Sequence, residues 1–365
     1  MAFYFSNSEN STILHIPACS EWAKFIPKDT TQIQLALIPY DVKNQFEKLQ
    51  SNNFDGIKWQ EKIQLLKLDK KISIQFNETT EPQIKQIKCR ESKSSYIEKV
   101  NKLKQHIQQG DIYEVNFCME FYAENVVINP YKLFQKLIAV SPMPFSCFIK
   151  QENNYLICAS PERFLIKRDN FLRSQPIKGT IKRSENKKED EKLKEVLKNS
   201  SKEKSENVMI VDLVRNDLSR IAVKGSVRVD ELFGIYSFPQ WHQMISTISC
   251  TIKPNITFEE ILKATFPMGS MTGAPKIRAM QLIEEYESTK RGMYSGSVGI
   301  MLPNGDFDLN VVIRSIQYNT ETGYLSFMVG SAITIQSDAE KEYEECLLKA
   351  KAILSVLDNP KILAD

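Results

Sequence analysis

The sequence predicts an α+β fold, and three segments carry that prediction. Residues 112–122 alternate between apolar and polar side chains, as a half-buried strand does. Residues 96–107 carry apolar side chains at helical spacing, and residues 339–357 have the pattern of a long amphipathic helix. Strand and helix patterns alternate along the chain without an internal repeat, so both element types contribute to the fold.

The other elements follow from local patterns. Short apolar or alternating stretches at residues 33–39 and 71–76 predict strands joined by polar loops. Gly110 stands where the C-cap of the helix over 96–107 is expected. Residues 182–206 are densely charged with both signs interspersed, which favours a solvated helix face, and residues 208–218 are strongly apolar.

Composition limits the class of protein. The 365 residues are 42% hydrophobic and 25% charged, which excludes collagen-like, coiled-coil and disordered chains. The net charge of +3 is too small to indicate nucleic-acid binding. Seven widely spaced cysteines without a C-x-x-C pair favour reduced thiols over a zinc site. No apolar run approaches the roughly 18 residues of a membrane span, and the N-terminus lacks a secretory pattern, so we expect a cytoplasmic protein.

Acidic residues in the C-terminal helix are the first candidates for chemistry. Glu342, Glu345 and Lys349 share one helix face beside the apolar stripe, and Ser337 with Glu340 predicts a capping box. The two carboxylates of that face are candidate ligands for a hard cation. Alternatively, Glu345 and Lys349 form an ordinary surface ion pair, and the helix alone favours this second interpretation.

Two further motifs also allow two interpretations. The small-residue loop over 268–276 leads into Pro275, so its backbone N–H groups either bind an anion or complete a structural turn. Lys178, within PIKGT, is either a nucleophile with a lowered pKa or a solvated surface charge. Glu162, within SPERF, can act as a general acid if burial raises its pKa.

The order of the motifs along the chain and their residues favour the functional interpretations over the structural ones. Eight segments occur in succession: GDIYEVN (110–116), SPERF (160–164), PIKGT (176–180), ENVMIVDLVRNDL (206–218), GSMTGAPKIRAM (269–280), RGMYSGSVG (291–299), VVIRS (311–315) and EYEEC (342–346). Together they resemble the chorismate-utilising enzymes, a family that includes anthranilate, aminodeoxychorismate, isochorismate and salicylate synthases.

The resemblance implies a fold and a division of the chain. The implied fold is one α+β unit of two packed, mainly antiparallel sheets flanked by helices, with the site in the cleft between them. Residues 96–357 correspond to the chorismate-binding catalytic region. Residues 1–95 are shorter than is common in the family, and we expect them to complete the sandwich.

The resemblance also implies a metal and a substrate site. Mg²⁺ is expected to bridge the protein and the ring carboxylate of chorismate, with Glu206 and Glu345 as ligands and Glu342 acting through water. This favours the metal-site interpretation of the C-terminal helix. The residues that match substrate contacts of the family are Thr180, Thr272, Tyr294, Arg314, Gly330, Ala332 and Lys349.

Lys178 indicates which branch of the family the chain resembles. Aminodeoxychorismate synthases read PIKGT, whereas anthranilate synthases usually read PIAGT. In the former, the lysine amine attacks C2 of chorismate while a glutamate, here Glu162, protonates the departing C4 hydroxyl. Ammonia from a separate glutamine amidotransferase subunit then adds at C4, giving 4-amino-4-deoxychorismate for 4-aminobenzoate and folate synthesis. The alternatives are component I of anthranilate synthase and a non-catalytic chorismate-binding subunit.

Three positions depart from the family pattern. Glu114 replaces a residue that is usually glutamine in amine-transferring members and lysine in water-using ones, which argues against the isochorismate branch. We predict that Glu114 orients ammonia or accepts its proton. Gln243 replaces a family histidine, with His242 beside it as a packed residue, and residues 329–333 replace a glycine-rich segment.

Overall fold

The computed structural model describes residues 2–6, 11–73, 84, 86–357 and 362–363. Its helices are α1 (Glu21–Phe25), α2 (Lys43–Glu47), α3 (Lys93–Gln108), α4 (Pro130–Val140), α5 (Lys187–Asn199), α6 (Ser201–Ile221), α7 (Phe258–Thr265), α8 (Lys276–Tyr286) and α9 (Ala339–Leu354). Short 3₁₀ turns occur at Tyr40–Val42 and Gly269–Met271. In the described parts of the chain, every helix is too short or too polar to cross a membrane.

The strands are β1 (Ala2–Ser6), β2 (Ser11–His15), β3 (Gln34–Ile38), β4 (Gln64–Lys71), β5 (Ile87–Cys89), β6 (Glu114–Ala123), β7 (Phe145–Gln151), β8 (Asn154–Ser160), β9 (Arg163–Arg168), β10 (Phe171–Gln175), β11 (Ile177–Lys182), β12 (Arg228–Ser237), β13 (Trp241–Thr251), β14 (Gly273–Ala274), β15 (Ser297–Met301), β16 (Phe307–Asn310), β17 (Ser315–Asn319), β18 (Tyr324–Ile333) and β19 (Ile362–Leu363).

Strand pairing follows one continuous path. It runs β12–β13–β10–β9–β16–β15–β3–β4–β1–β2–β7–β8–β17–β18–β6–β5. Strand β11 also pairs with β13, and β14 with β6. Among the described strands, every pairing is antiparallel except that of β5 with β19. The predicted α+β class with mainly antiparallel strands is therefore confirmed.

The N-terminal strands lie in the middle of this path. β3 pairs with β15, and β2 pairs with β7. Strands β1–β4 therefore lie in the sheet between β7 and β15, which are far apart in sequence. Such pairings are what a single structural unit requires. The division into residues 1–95 and 96–357 stays a prediction.

Two clusters of buried apolar side chains lie next to the candidate site. In the first, α3 and α9 pack against β6 and β18, with the rings of Phe121 and Phe327 stacked 5.2 Å apart. In the second, α6 and α7 pack against β10 and β13. Each fully buried apolar side chain contributes about 1.5–3 kcal/mol, so these clusters fix the elements that carry the site residues.

Most of the predicted elements are present, with differences at their ends and faces. The helix over 96–107 is α3, and Gly110 has φ +83° just beyond its C-cap. The strand over 112–122 is β6, but it is buried on both faces because helices and neighbouring strands cover it. Of the strand predicted over 71–76, only Lys71 belongs to a strand, as the last residue of β4, and residues 72 and 73 lie outside it. Residues 74–76 lie outside the described residues.

The predicted capping box of the C-terminal helix is also wrong. Asp338 is the N-cap of α9, and its side chain accepts hydrogen bonds from the backbone N–H groups of Glu340 and Lys341. The hydroxyl of Ser337 instead contacts the backbone at Thr334 and Ala332. The Ser337 side chain therefore closes the preceding turn and is not available as a cap.

A buried arginine ties β6 to the loops that flank the site. Arg291 is 1% exposed and pairs with Glu287 at 2.6 Å. Its guanidinium also donates to the carbonyl oxygens of Met271, at 2.7 Å, and Asn116, at 2.9 Å. The 3₁₀ turn Gly269–Met271 is thereby held against the start of β6.

We predict that Arg291→Met lowers the free energy of unfolding by about 3–5 kcal/mol, because Glu287 would remain buried without its partner. Lys24→Met is the matched control, since the Lys24–Glu21 pair is largely exposed and should be worth less than about 1 kcal/mol. Urea denaturation of both variants measures the difference. Equal losses in the two variants would contradict the structural role of Arg291.

Candidate active site

A buried ion pair lies at the centre of the candidate site. Lys178 Nζ, from β11, lies 2.9 Å from Glu114 Oε1, at the start of β6. Their side chains are 10% and 2% exposed. Two residues that are 64 positions apart in sequence thus meet in a region shielded from water.

The loop that ends in β14 fixes the position of Glu114. Gly273 and Ala274 pair with Val115 and Glu114. A Cβ on Gly273 would lie 2.1 Å from the carbonyl oxygen of Glu114, and the glycine has φ +152°. Only glycine permits this close approach, so the GSMTGAPK loop positions the carboxylate.

Lys178 is a cation in the resting site. Burial alone would lower its pKa, but the neighbouring carboxylates, Glu114 first and then Glu206 and Glu162, raise the pKa of Lys178 above its usual value. The amine must therefore lose a proton before it can act as a nucleophile. Glu114 is the group in hydrogen-bond contact with it.

Glu162 meets the condition for a general acid near neutral pH. Its side chain is buried, and burial raises the pKa of Glu162 to about 7, although Ser270 and Lys178 oppose that shift. Ser270 Oγ donates to Glu162 Oε1 at 2.8 Å. The carboxyl group thus lies close to the ammonium of Lys178 and can be protonated at physiological pH.

A second group of carboxylates lies between α6 and α9. Lys202 Nζ is 3.8 Å from Glu206 Oε1 and 3.9 Å from Glu342 Oε1. Burial raises the pKa of Glu206 to about 7, although Lys178 opposes the shift. Glu345 also interacts with Lys202, so both predicted direct ligands face the same ammonium group.

Glu345 forms the ion pair that its helical spacing suggested. Its Oε1 lies 2.8 Å from Lys349 Nζ, and both side chains are more than 40% exposed. Burial would raise the pKa of Glu345, but Lys349 lowers it below its usual value. Lys349 also donates to the carbonyl oxygen of Gly330 at 2.7 Å.

The donor set fits Mg²⁺ better than a metal held by protein ligands alone. Within the described ranges, no three carboxylate, histidine or cysteine side chains are placed to hold a metal. Mg²⁺ is commonly bound through one or two carboxylates, with water and substrate oxygens completing its shell. Glu206 and Glu345 supply that number of carboxylates.

Arg314 is a cation without a carboxylate partner among the described residues. Its guanidinium contacts Met143 Sδ at 3.9 Å and faces the Trp241 ring at 5.8 Å. Burial lowers the pKa of Arg314 to about 10, so the side chain remains charged at neutral pH. A planar cation of this kind is suited to bind a carboxylate in bidentate fashion.

The remaining predicted substrate contacts differ in exposure. Thr272 and Tyr294 are buried, whereas Thr180 is exposed on β11. A Cβ on Gly330 would lie 2.5 Å from Cys118 Sγ, and Ala332 lies opposite Asn116 in the β6–β18 ladder. A hydrogen bond joins Lys178 to Glu114, and Glu162 and Glu206 lie close enough to interact electrostatically with Lys178. Lys349 contacts Glu345 and Gly330. The side-chain contacts of Arg314 described above are with Met143 and Trp241.

Sequence reasoning missed two residues of the site and interpreted a third correctly. Ser270, the partner of Glu162, lies within a quoted motif. Lys202 lies four residues before Glu206, so helical spacing could have identified it. His242 is buried and lies 2.8 Å from both Ser237 Oγ and Asp190 Oδ1, which confirms that it is a packed residue.

We predict that Glu162 makes the stability of the metal-free protein depend on pH. Because its folded pKa is about 7 and its unfolded pKa about 4.3, the folded state binds more protons between these values, and the free energy of unfolding falls as pH rises through that window. Glu162→Gln should remove about 2–3 kcal/mol of this fall, whereas the exposed Glu185→Gln control should leave it unchanged. Urea midpoints between pH 5 and 8 test this, and parallel wild-type and Glu162→Gln curves would refute it.

Comparisons with known proteins identify the family of the chain. The profile of a family described as chorismate binding enzyme matches residues 1–355. The chain is 42% identical over 270 residues to a probable chloroplastic aminodeoxychorismate synthase of Oryza sativa subsp. japonica, covering 73% of this chain and 30% of that protein. It is 37% identical over 267 residues to aminodeoxychorismate synthase component 1 of Escherichia coli (strain K12), covering 73% of this chain and 58% of that protein.

The fold is shared with a solved structure. Anthranilate synthase component I from Streptococcus pneumoniae TIGR4 superposes with a TM-score of 0.79 at 22% identity, covering 97% of this chain and 91% of that one. The chain spans less than two-thirds of the length of the two curated relatives, 30% and 58%. The match of the family profile over residues 1–355 shows that the chain belongs to the chorismate binding enzyme family.

Proposed function

We propose that the chain is the chorismate-converting component of an aminodeoxychorismate synthase, which makes 4-amino-4-deoxychorismate from chorismate and ammonia. The observation that carries the proposal is the buried Lys178–Glu114 pair beside the protonatable Glu162. These groups provide a nucleophile, its proton acceptor and an acid. The names of the curated relatives from Oryza sativa and Escherichia coli point to the same activity.

The first step forms a covalent bond to the enzyme. Lys178 transfers a proton to Glu114, and its neutral amine then attacks C2 of the chorismate ring. The two conjugated ring double bonds shift as the C4–O bond breaks, and Glu162 donates its proton to the departing hydroxyl, which leaves as water. One difficult displacement is thereby divided into two easier ones.

The second step transfers the amino group. The proton on Glu114 first passes to Glu162, which restores the Glu114 carboxylate. Ammonia then attacks C4, both ring double bonds shift back, and the C2–N bond to Lys178 breaks with its electron pair returning to the lysine. The new amino group therefore stands at C4, and the lysine leaves as a neutral amine. Glu114 acts here by orienting ammonia or accepting its proton.

Substrate binding depends on cations and on polar groups around the cleft. Arg314 binds one carboxylate of chorismate, and Lys349 with Tyr294 contacts the other, while Thr180, Thr272, Gly330 and Ala332 line the pocket. Mg²⁺, when bound by Glu206 and Glu345 with Glu342 acting through water, supplies positive charge for the ring carboxylate. Two observations support this assignment: Arg314 has no carboxylate partner among the residues that the structure describes, and carboxylates lie between α6 and α9.

The source of ammonia is proposed to be a separate glutaminase. The related protein of Escherichia coli is named component 1, which supports a second component. Anthranilate synthase component I is the alternative activity, and Lys178 argues against it because anthranilate formation has no role for a lysine nucleophile.

We predict that the protein converts chorismate, Mg²⁺ and ammonium to 4-amino-4-deoxychorismate without releasing pyruvate. Lys178→Ala should lower the rate by about 10³-fold or more, because it removes the nucleophile. Glu162→Gln should lower it by about 10²–10⁴-fold, because it removes the acid. Lys182→Ala, on the same strand but exposed, is the matched control.

Mass spectrometry of the products and a pyruvate assay check this prediction. Pyruvate release would indicate anthranilate synthesis instead. No consumption of chorismate, even with a cognate glutaminase present, would reject the enzymatic function. A Lys178→Ala variant with the full rate would reject the covalent mechanism alone.

We also predict that Glu345→Gln weakens Mg²⁺ binding by about tenfold or more, because a charged ligand becomes neutral. Glu344→Gln, one residue earlier and exposed, should bind normally. Calorimetric titration with Mg²⁺ can be done with chorismate present in a Lys178→Ala background, where turnover is blocked. Equal affinities in the two glutamate variants would exclude Glu345 as a ligand.

A further inference from the structure

We propose that the amine substrate binds as the ammonium cation, NH₄⁺, at Glu114 Oε2, and that this oxygen takes its proton inside the site. The inference rests on the proposed function and specifies which form of the nitrogen substrate the protein accepts. Free NH₃ from solution is the competing substrate species.

The two oxygens of Glu114 are in different situations. Oε1 accepts the hydrogen bond from Lys178 Nζ. Oε2 is buried and accepts no hydrogen bond from the residues that the structure describes. A buried acceptor without a donor is destabilising by about 1–3 kcal/mol or more, particularly when it is charged. Oε2 therefore offers an unused hydrogen-bond acceptor, beside a nucleophile, to a small group with N–H donors.

The charges around this oxygen favour a cation over a neutral molecule. Lys178 interacts electrostatically with three carboxyl groups, those of Glu114, Glu162 and Glu206. Glu206 faces Glu114 from α6, and Lys178 faces it from β11. Lys178 is thus one positive charge among three carboxyl groups. Ammonium adds a second positive charge there, whereas NH₃ adds none.

The position of Glu114 is fixed before any substrate arrives. The pairing of β14 with β6 holds its backbone, and the contact with Lys178 holds its side chain. Oε2 therefore keeps one direction relative to Lys178 Nζ. Since Lys178 carries the covalent intermediate, an ammonium ion on Oε2 lies beside the atoms that react.

The overall reaction balances with ammonium and needs no external proton. It can be written R–OH + NH₄⁺ → R–NH₃⁺ + H₂O. Ammonium gives one proton to Glu114 Oε2 and becomes NH₃, whose electron pair forms the bond to C4. The C4 hydroxyl consumes one proton, from Glu162, when it leaves as water. By the time ammonia attacks, Glu162 has regained a proton, the one that Lys178 gave to Glu114 in the first step. The proton from ammonium therefore passes from Glu114 to the released amine of Lys178, which restores the starting state.

The pH dependence of the KM for ammonium tests the proposal. Below the pKa of ammonium, each added pH unit raises free NH₃ about tenfold and leaves NH₄⁺ nearly constant. For the wild-type protein, the KM expressed as total ammonium should change less than about twofold per pH unit between pH 7 and 8.5. For Glu114→Gln, which is isosteric but uncharged, it should fall about tenfold per pH unit.

Competition by K⁺ provides a second measurement. K⁺ is a monovalent cation without a proton to donate, so it should raise the KM for ammonium in the wild-type protein and leave kcat unchanged. Glu114→Gln should not respond to K⁺. Ionic strength is kept constant with tetramethylammonium chloride, whose cation is too large for the buried position.

Each result bears on the proposal separately from the proposed function. A wild-type KM that follows free NH₃, no competition by K⁺, or a pH-independent KM in Glu114→Gln would each overturn the ammonium site while leaving the synthase activity intact. If Glu114→Gln does not fold or loses turnover, the wild-type pH dependence and K⁺ competition still decide. Absence of product under all conditions rejects the proposed function and the ammonium site together.

Discussion

The buried ion pair between Lys178 and Glu114 is the interaction on which the rest of the site depends. Charged groups are costly to bury, and removing one partner of a buried pair usually destabilises a protein by about 3–5 kcal/mol. Strand β11 and the start of β6 therefore cannot separate without exposing or neutralising a charge. The turn that carries Ser270 and the helix that carries Glu206 are packed around this pair, so their side chains are placed relative to it.

Burial raises the pKa of two carboxyl groups to about 7, but their surroundings differ. Glu162 is enclosed, and its hydrogen-bond partner Ser270 is a neutral hydroxyl, so it can hold a proton until the leaving group needs one. Glu206 lies beside Lys202 and near Glu342, at the partly exposed ends of two helices. A divalent cation there would favour its ionised form, because metal ligands must be deprotonated. The same pKa shift therefore suits an acid in one position and a proposed metal ligand in the other.

Local patterns in the sequence predicted the elements, and the order of motifs predicted the residues of the site. The spacing of residues 96–107 is enough to predict α3, since helical periodicity is a property of neighbours. The N-cap of α9 is Asp338 and not Ser337, because the serine hydroxyl already donates a hydrogen bond to the carbonyl oxygen of Ala332 in the preceding turn. Spacing along the sequence does not reveal that hydrogen bond. The contact between Lys178 and Glu114 depends on how distant strands pair, which spacing cannot show. The same is true of Arg291, whose charge gave no sign that it is buried.

Arg314 and Lys349 illustrate two ways to hold a cation ready for an anionic substrate. Lys349 already pairs with Glu345 and donates to Gly330, so a carboxylate must compete with these partners for its ammonium. Arg314 contacts a thioether and an aromatic ring, neither of which neutralises its charge. A partly buried guanidinium without a negatively charged partner lowers the stability of the fold. Such groups concentrate at functional sites, where a bound ligand supplies the missing partner. Within the proposed function, Arg314 thus provides the stronger attraction for a substrate carboxylate, and Lys349 couples substrate binding to the acidic helix face that it shares with Glu345.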